Sequence, residues 1–269
     1  MPGGYPFGIE CCNAQDVGTI SSGSVGTSVT CGTANVKGGW TQLISSLGAD
    51  CCWTVVELAC LSLAKSVLVD IGIGSLNNEQ PVVNNLWFRS PAGVGSIDVV
   101  KYCFPLQIPS GSRISVRGQS NTAAQVFTAK MSCYDGAFTM MEGAARIDMV
   151  GVSTATSSGT AVMPNATANT KGSFAQLILS TTKDYCGLIV VVGLIGTVST
   201  DYLFDIAIGG AGSEQVIIPN IHGMPQTSAP MMTVFVPIPV PSGSRLSARA
   251  QANGASAANC QIAAGGIYI

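Results

Sequence analysis

Charge is scarce in this chain: Asp, Glu, Lys and Arg make up 10% of its 269 residues, against the ~25% usual in a folded domain. Long disordered tails and coiled coils, which depend on charge, are not expected. The net charge is -2, and no run of Lys and Arg stands ready to neutralise a row of phosphates, so nucleic acid is not an expected partner. Histidine is confined to His222, and the ten cysteines follow no repeated C-x-x-C spacing. No metal set and no cofactor site follow from that pattern. No G-x-S-x-G, H-x-x-x-H or catalytic-cysteine signature accompanies His222, which reads as a loop histidine, and no catalytic residue is expected.

Long apolar runs are missing too. The strongest, Cys186 to Gly196, is about half of the ~20 residues a membrane helix needs and is rich in β-branched residues, which predicts a buried strand and no membrane span. The N-terminal MPGGYPFGIECC has neither a basic n-region nor a continuous apolar h-region, so no export is expected. Without export, the Asn165-Ala166-Thr167 glycosylation pattern carries no weight and the cysteines belong to a reducing compartment, mostly as small buried apolar groups. The neighbours Cys11-Cys12 and Cys51-Cys52 are the expected exceptions, since adjacent strand residues face opposite ways and one of each pair could be exposed.

What the chain has in quantity is turns and repetition. Thirty-two glycines and thirteen prolines without a triplet period cut it into short elements. TANVKGGWTQLI at Thr33 to Ile44 recurs as TANTKGSFAQLI at Thr167 to Ile178, DIGIG from Asp70 as DIAIG from Asp205, and Glu79-Gln80 as Glu214-Gln215. PSGSRISVRGQ from Pro109 recurs as PSGSRLSARAQ from Pro241. These blocks keep their order and a nearly constant spacing, which makes the chain a tandem duplication of a unit of roughly 130 residues. The expected divisions are an arm over 1–22, a first module over 23–135, a linker over 136–154 and a second module over 155–269.

Within the first unit, strands are predicted near 25–31, 40–46, 53–61, 66–73, 80–88, 98–108, 112–118 and 124–133, with no sustained helical period. Eight strands at this spacing give an all-β fold: two tandem antiparallel β-sandwiches, jelly-roll-like, from an internal duplication. Pro109 to Ser112 and Pro241 to Ser244 are expected to close β-hairpins, Pro presetting φ and Gly allowing a positive φ.

Arg113 and Arg117 lie four apart on one strand face, as do Arg245 and Arg249. They are expected to form structural ion pairs with sheet carboxylates such as Asp70 and Asp205; an anion clamp or a contact with a neighbouring subunit are the competing readings. Glu79 and Glu214, kept in both copies, are read as part of the scaffold. Trp40, Trp53 and Trp87 all sit in the first copy, where the second has Phe174, Gly187 and His222. Aromatic platforms bind sugars, which makes Trp53 and Trp87 candidate contact sites, while Trp40, replaced by another aromatic, suits a core position.

The blocks TANxKGxxxQLI, DIxIGxxxxEQ and PSGSRxSxRxQ resemble a pattern in virion-associated proteins of tailed bacteriophages, where it occurs singly or in tandem. The first copy departs from it with Asn78 where the second has Ser213. The resemblance implies a non-enzymatic virion component made in bacterial cytoplasm: a capsid decoration or cement protein, or a tail, baseplate or fibre subunit. Its implied partners are other copies of itself, a trimer being favoured because two similar modules give six similar positions about a three-fold axis, and other virion proteins. The alternative is a receptor- or carbohydrate-binding adhesin directed at host-surface glycan.

Overall fold

Alternation along the chain decides where strands lie and which way they face. In Val99–Ile108, Val100, Tyr102 and Phe104 are buried while Lys101 and Cys103 are exposed, one face for a core and one for water. The computed structural model describes residues 13–19, 26–60, 65–89, 99–136, 144, 146–194, 201–223, 231–255 and 259–269. Among these residues there is no helix.

The first half supplies β1 (Ala14–Val17), β2 (Thr27–Thr30), β3 (Thr41–Ile44), β4 (Cys51–Cys60), β5 (Ser66–Ile73), β6 (Gln80–Arg89), β7 (Val99–Ile108), β8 (Ile114–Ser120) and β9 (Val126–Tyr134). One sheet runs β2-β9-β4-β7, with β1 also on β9; the facing sheet runs β3-β8-β5-β6. From β2 to β9 the chain changes sheet at every connection except the β5–β6 hairpin. That is the wrapping of a jelly roll.

The second half repeats it with β12 (Ser158–Val162), β13 (Ala175–Ile178), β14 (Gly187–Leu194), β15 (Tyr202–Ile208), β16 (Gln215–Gly223), β17 (Met232–Val236), β18 (Leu246–Ala252) and β19 (Cys260–Tyr268). Its sheets run β12-β19-β14-β17 and β13-β18-β15-β16. The fold is therefore two tandem antiparallel β-sandwiches of jelly-roll type, superposed on the internal duplication. Strands also occupy the stretches expected as arm and linker: β1 lies within 1–22, and β10 (Arg146–Val150) and β11 (Val152–Ser153) lie within 136–154.

The Pro-Ser-Gly-Ser turns correct one expectation. Both turns form, with Gly111 and Gly243 at φ of 77° and 79° and Ser112 and Ser244 donating back to Pro109 and Pro241. They do not close hairpins, because β7 pairs with β4 while β8 pairs with β5 and β3. A turn of this type reverses the chain, but which strands then pair is set by the two facing apolar surfaces. Here the turn carries the chain from one sheet to the other.

Strand β10 joins the two modules. It pairs antiparallel with β19 and parallel with β6, so the β3-β8-β5-β6 sheet continues into the second module. The sheet of β10, β19 and β14 is buried on both faces. Ile147, Met149, Ile189, Val191, Ala263 and Ile267 belong to the first core, while Leu188, Val190, Val192, Ile262 and Ala264 belong to the second. A strand covered on both faces reads as continuous apolar sequence, and this accounts for the Leu188 to Val192 run.

Candidate functional site

The charged residues shared by both copies converge on the outer face of the β3-β8-β5-β6 sheet and its counterpart. Asp70 on β5 stands opposite Arg117 on β8, and Arg117 Nε donates to Asp70 Oδ2 at 2.9 Å. Lys37 Nζ reaches Asp70 Oδ1 at 2.7 Å and the Leu68 carbonyl at 3.0 Å. The Asn85 N–H donates to the same Oδ1 at 2.9 Å. That last bond exists because β6 carries a bulge opposite Asp70, with Asn85 at a φ of 57°, a conformation Asn tolerates better than most residues. The Arg117 guanidinium lies 4.4 Å from the Trp40 ring centre, and Trp40 fits over Gly72, where any Cβ would meet the indole.

The second module repeats the arrangement. Asp205 receives Arg249 at 2.8 Å, Lys171 at 2.7 Å and the Asn220 N–H at 2.9 Å, and Arg249 stacks 4.5 Å from the Phe174 ring centre. Burial works against the Asp205 carboxylate, yet the bonds from Lys171, Asn220 and Arg249 outweigh it and hold its pKa below the usual range. Both aspartates are only 3% exposed.

Arg113 and Arg245 make a separate pair. They lie beyond the reach of the aspartates and bond instead to Glu79 at 2.6 Å and Glu214 at 3.0 Å, each also donating to a strand glutamine, Gln42 or Gln176. Burial raises the Glu79 pKa, but the Arg113 guanidinium and backbone N–H groups more than reverse it. For Glu214 the backbone N–H bonds, its own first, and Arg245 keep the carboxyl below the usual range. Glu79 Oε2 is buried without a partner.

Of the residues singled out from sequence, Asp70 with Arg117 and Asp205 with Arg249 come together, while Arg113 and Arg245 find glutamates rather than aspartates. Residues the sequence reading passed over complete the clusters: Lys37 and Lys171, Asn85 and Asn220. The signal was present, since both lysines stand inside the recurring TANxKG block. Asp50 and Asp184 form a further repeated pair, each accepting the N–H of the Pro-Ser-Gly-Ser turn at 2.7 Å, from Ser110 and Ser242. These bonds lower both carboxyl pKa values.

The tryptophan expectations are corrected. Trp87 is 0% exposed and so presents no surface. Its ring packs where a Cβ at Gly159 or Gly193 of the second module would sit, at 2.7 and 2.9 Å, and its Nε1 donates to Ser66 Oγ at 2.8 Å. Trp53 is half-buried and meets Phe235 of the second module edge-on at 5.8 Å between ring centres. Both therefore mark the seam between modules. Trp40, expected in the core, lies half-buried on the outer face as the platform for Arg117. His222 lies on β16 rather than in a loop, its side chain 63% exposed and its Nε2 3.6 Å from Asp201.

Cys51 and Cys52 are both buried, against the expectation that one could face water. A register shift between Cys51 and Trp53 breaks the alternation there, and Cys52 Sγ turns to the Tyr134 carbonyl at 3.3 Å. Cys103 is the exposed thiol among the described residues, and Cys11 and Cys12 lie outside them. A cleft of about 490 Å³ is lined in part by Asp50, Cys51, Cys52 and Arg146. Arg146 donates to the Pro81 carbonyl at 3.0 Å, and among the described residues no histidine or second carboxylate lines the cleft with it. Among the described residues no group of three metal-ligating side chains converges.

No family model matches the chain, and no curated protein matches it. Among solved structures it is similar to PNGase F, a glycosylasparaginase from Flavobacterium meningosepticum, at a TM-score of 0.41 and 9% identity over 95% of this chain and 96% of that one. It is also similar to a tandem CBM22 domain from Paenibacillus barcinonensis, at a TM-score of 0.27 and 10% identity over 98% and 95%.

Proposed function

We propose that the protein is a non-enzymatic structural component of a bacteriophage virion, a capsid decoration or cement protein or a tail, baseplate or fibre subunit. In this reading it is made in the host cytoplasm and acts by self-association, as a trimer, and by packing on other virion proteins. The observation that carries the reading is the use to which the duplicated motifs are put. Lys37, Asp70, Arg117, Arg113 and Glu79, with their second-copy counterparts, are all engaged with one another. At each of these kept positions the charged side chain has an oppositely charged partner within its own module. Motifs that serve only to rigidify a sheet suit a building block, and they are the same blocks that resemble virion-associated proteins.

The adhesin alternative rested on Trp53 and Trp87. Trp87 lies inside the seam and Trp53 is half-buried against Phe235, which leaves this alternative the less supported of the two. Quantitative mass spectrometry of purified particles from the phage that encodes this chain tests the proposal. The chain should be present in many copies per particle; its absence from particles, when it is abundant in the lysate, would overturn the reading. Sedimentation should give three times the chain mass.

A further inference from the structure

In the first module the outer face of the β3-β8-β5-β6 sheet is plugged by the second module. The tip between β11 and β12, Thr154 to Ser157, enters a polar socket. Gln119 Nε2 donates to the Thr154 carbonyl at 2.8 Å and to Ser157 Oγ at 3.1 Å. Ser157 Oγ donates to Asn35 Oδ1 at 2.9 Å, and Ser66 Oγ donates to the Ser157 carbonyl. Trp87 closes the socket floor through its bond to Ser66.

The second module keeps the corresponding positions, unfilled by a plug among the described residues; there Asp201 Oδ2 accepts from Asn253 Nδ2 at 3.1 Å. Strand register places Asp201 at the position of Ser66, His222 at that of Trp87 and Gln251 at that of Gln119. Asn169 matches Asn35: both have a φ near 57°, at 57° and 58°, and both donate their N–H to the end of the equivalent strand, at Ala252 and Ser120. Ser66 and Gln119 are buried, whereas the Asp201 and His222 side chains are 46% and 63% exposed and Asn169 is exposed.

The sequence around the plug recurs in the first copy. Val150-Gly151 and Gly159-Thr160-Ala161-Val162, which flank the tip, are matched in the first copy by Val17-Gly18 and Gly26-Thr27-Ser28-Val29, with Ser24 at the place of Ser157. The flanking strands are placed alike: β1 and β2 both lie on β9, as β10 and β12 both lie on β19.

We propose that the socket of Asn169, Asp201, His222 and Gln251 receives the first module of a second copy of the chain, through the segment that joins β1 to β2. The proposal rests on the self-association in the reading above and names its surface. The contact is heterologous, the second module of one copy to the first of the next, so repetition gives a ring or an open chain. A three-membered ring would set six modules about one axis. It is also more polar than the seam within one chain. Val191 and Ala263, which close the first core, correspond by register to Glu57 and Lys130, which form ion pairs with Lys101 and Asp16. A charged surface against Asp201 and His222 makes an association that weakens with salt.

The test uses full-length chains, a mixture of light and isotopically heavy copies with the photo-reactive amino acid benzoylphenylalanine at position 251. Irradiation should link light to heavy chains, with the linked peptide mapping to residues 13–30. Links confined to one chain, links to another surface, or a parent that stays monomeric up to about 1 mM would each overturn the proposal. Gln251→Arg should weaken self-association roughly tenfold, about 1.4 kcal/mol, with unchanged thermal melting; undiminished association would overturn it. Particles that contain the chain while these links fail would sink this interface and leave the virion reading standing. Links that form in a chain absent from particles would do the reverse.

Discussion

Asp70 ties together three segments distant in sequence: the loop bearing Lys37, the bulge at Asn85 and strand β8 through Arg117. Removing it strands two partly buried cations, and removing one partner of a buried pair costs about 3 kcal/mol or more. Asp70→Ala and Asp205→Ala should each lower stability by about that amount in denaturant melts, similarly in both copies because the geometry is the same. Arg113→Ala and Arg245→Ala should also lower the melting temperature, and Arg113→Lys should restore only part of it, because an ammonium cannot engage Glu79 and Gln42 with one rigid fork. The depressed carboxyls set the pH response. Asp205, Glu79 and Glu214 have folded pKa values below the unfolded ones, so their contribution is fully present above the unfolded range near ~4 and is lost as pH falls through the folded values. Stability should be flat from neutral pH to about 5 and decline below about 4; a decline that begins above pH 6 would show that other groups govern it. The arginine spacing revealed a shared face in the sequence. It could not reveal that Arg113 lies past the aspartate and meets Glu79, since the cross-strand partner depends on register.

Strand positions followed from alternation and turn residues, and the predicted ranges lie within a few residues of the observed ones. Strand partners did not. The turn at Gly111 looks like a hairpin turn in sequence and is a sheet-to-sheet crossing in space, because β8 pairs with β3 and β5 and buries Ile114 and Val116 in the core from the facing sheet. The seam between modules is the clearest case of one element deciding another's residues. Trp87 on β6 requires Gly159 on β12 and Gly193 on β14, whereas His222, its counterpart on β16, meets no third module. Trp87→Ala should cost about 4 kcal/mol, and His222→Ala should change stability by less than about 0.5 kcal/mol, both read from chemical unfolding. Equal effects would mean that the two positions are not distinguished by the seam.

The molecule is two repeats in sequence and two unequal halves in space. The core of the first module includes Ile147, Ile189, Val191, Ala263 and Ile267 from the second, so a fragment of residues 1–136 would expose Val83, Leu86 and Trp87 along an unpaired β6 edge. That fragment should bind a hydrophobic dye and lack dispersed amide resonances, while the full chain unfolds in one cooperative transition; a well-folded fragment would contradict the shared core. By itself the sequence determined the all-β class, the duplication, the strand positions and the paired faces of the arginines, because these depend on local periodicity and on comparison of one copy with the other. Only the tertiary structure decided that Trp87 is interior, that β14 is covered on both sides, that the turns cross between sheets and that, among the described residues, one polar socket is plugged while its twin is unfilled. Those outcomes depend on how one module abuts the other through β10, a contact between surfaces far apart in the chain, and no periodicity within a repeat can encode what lies outside it.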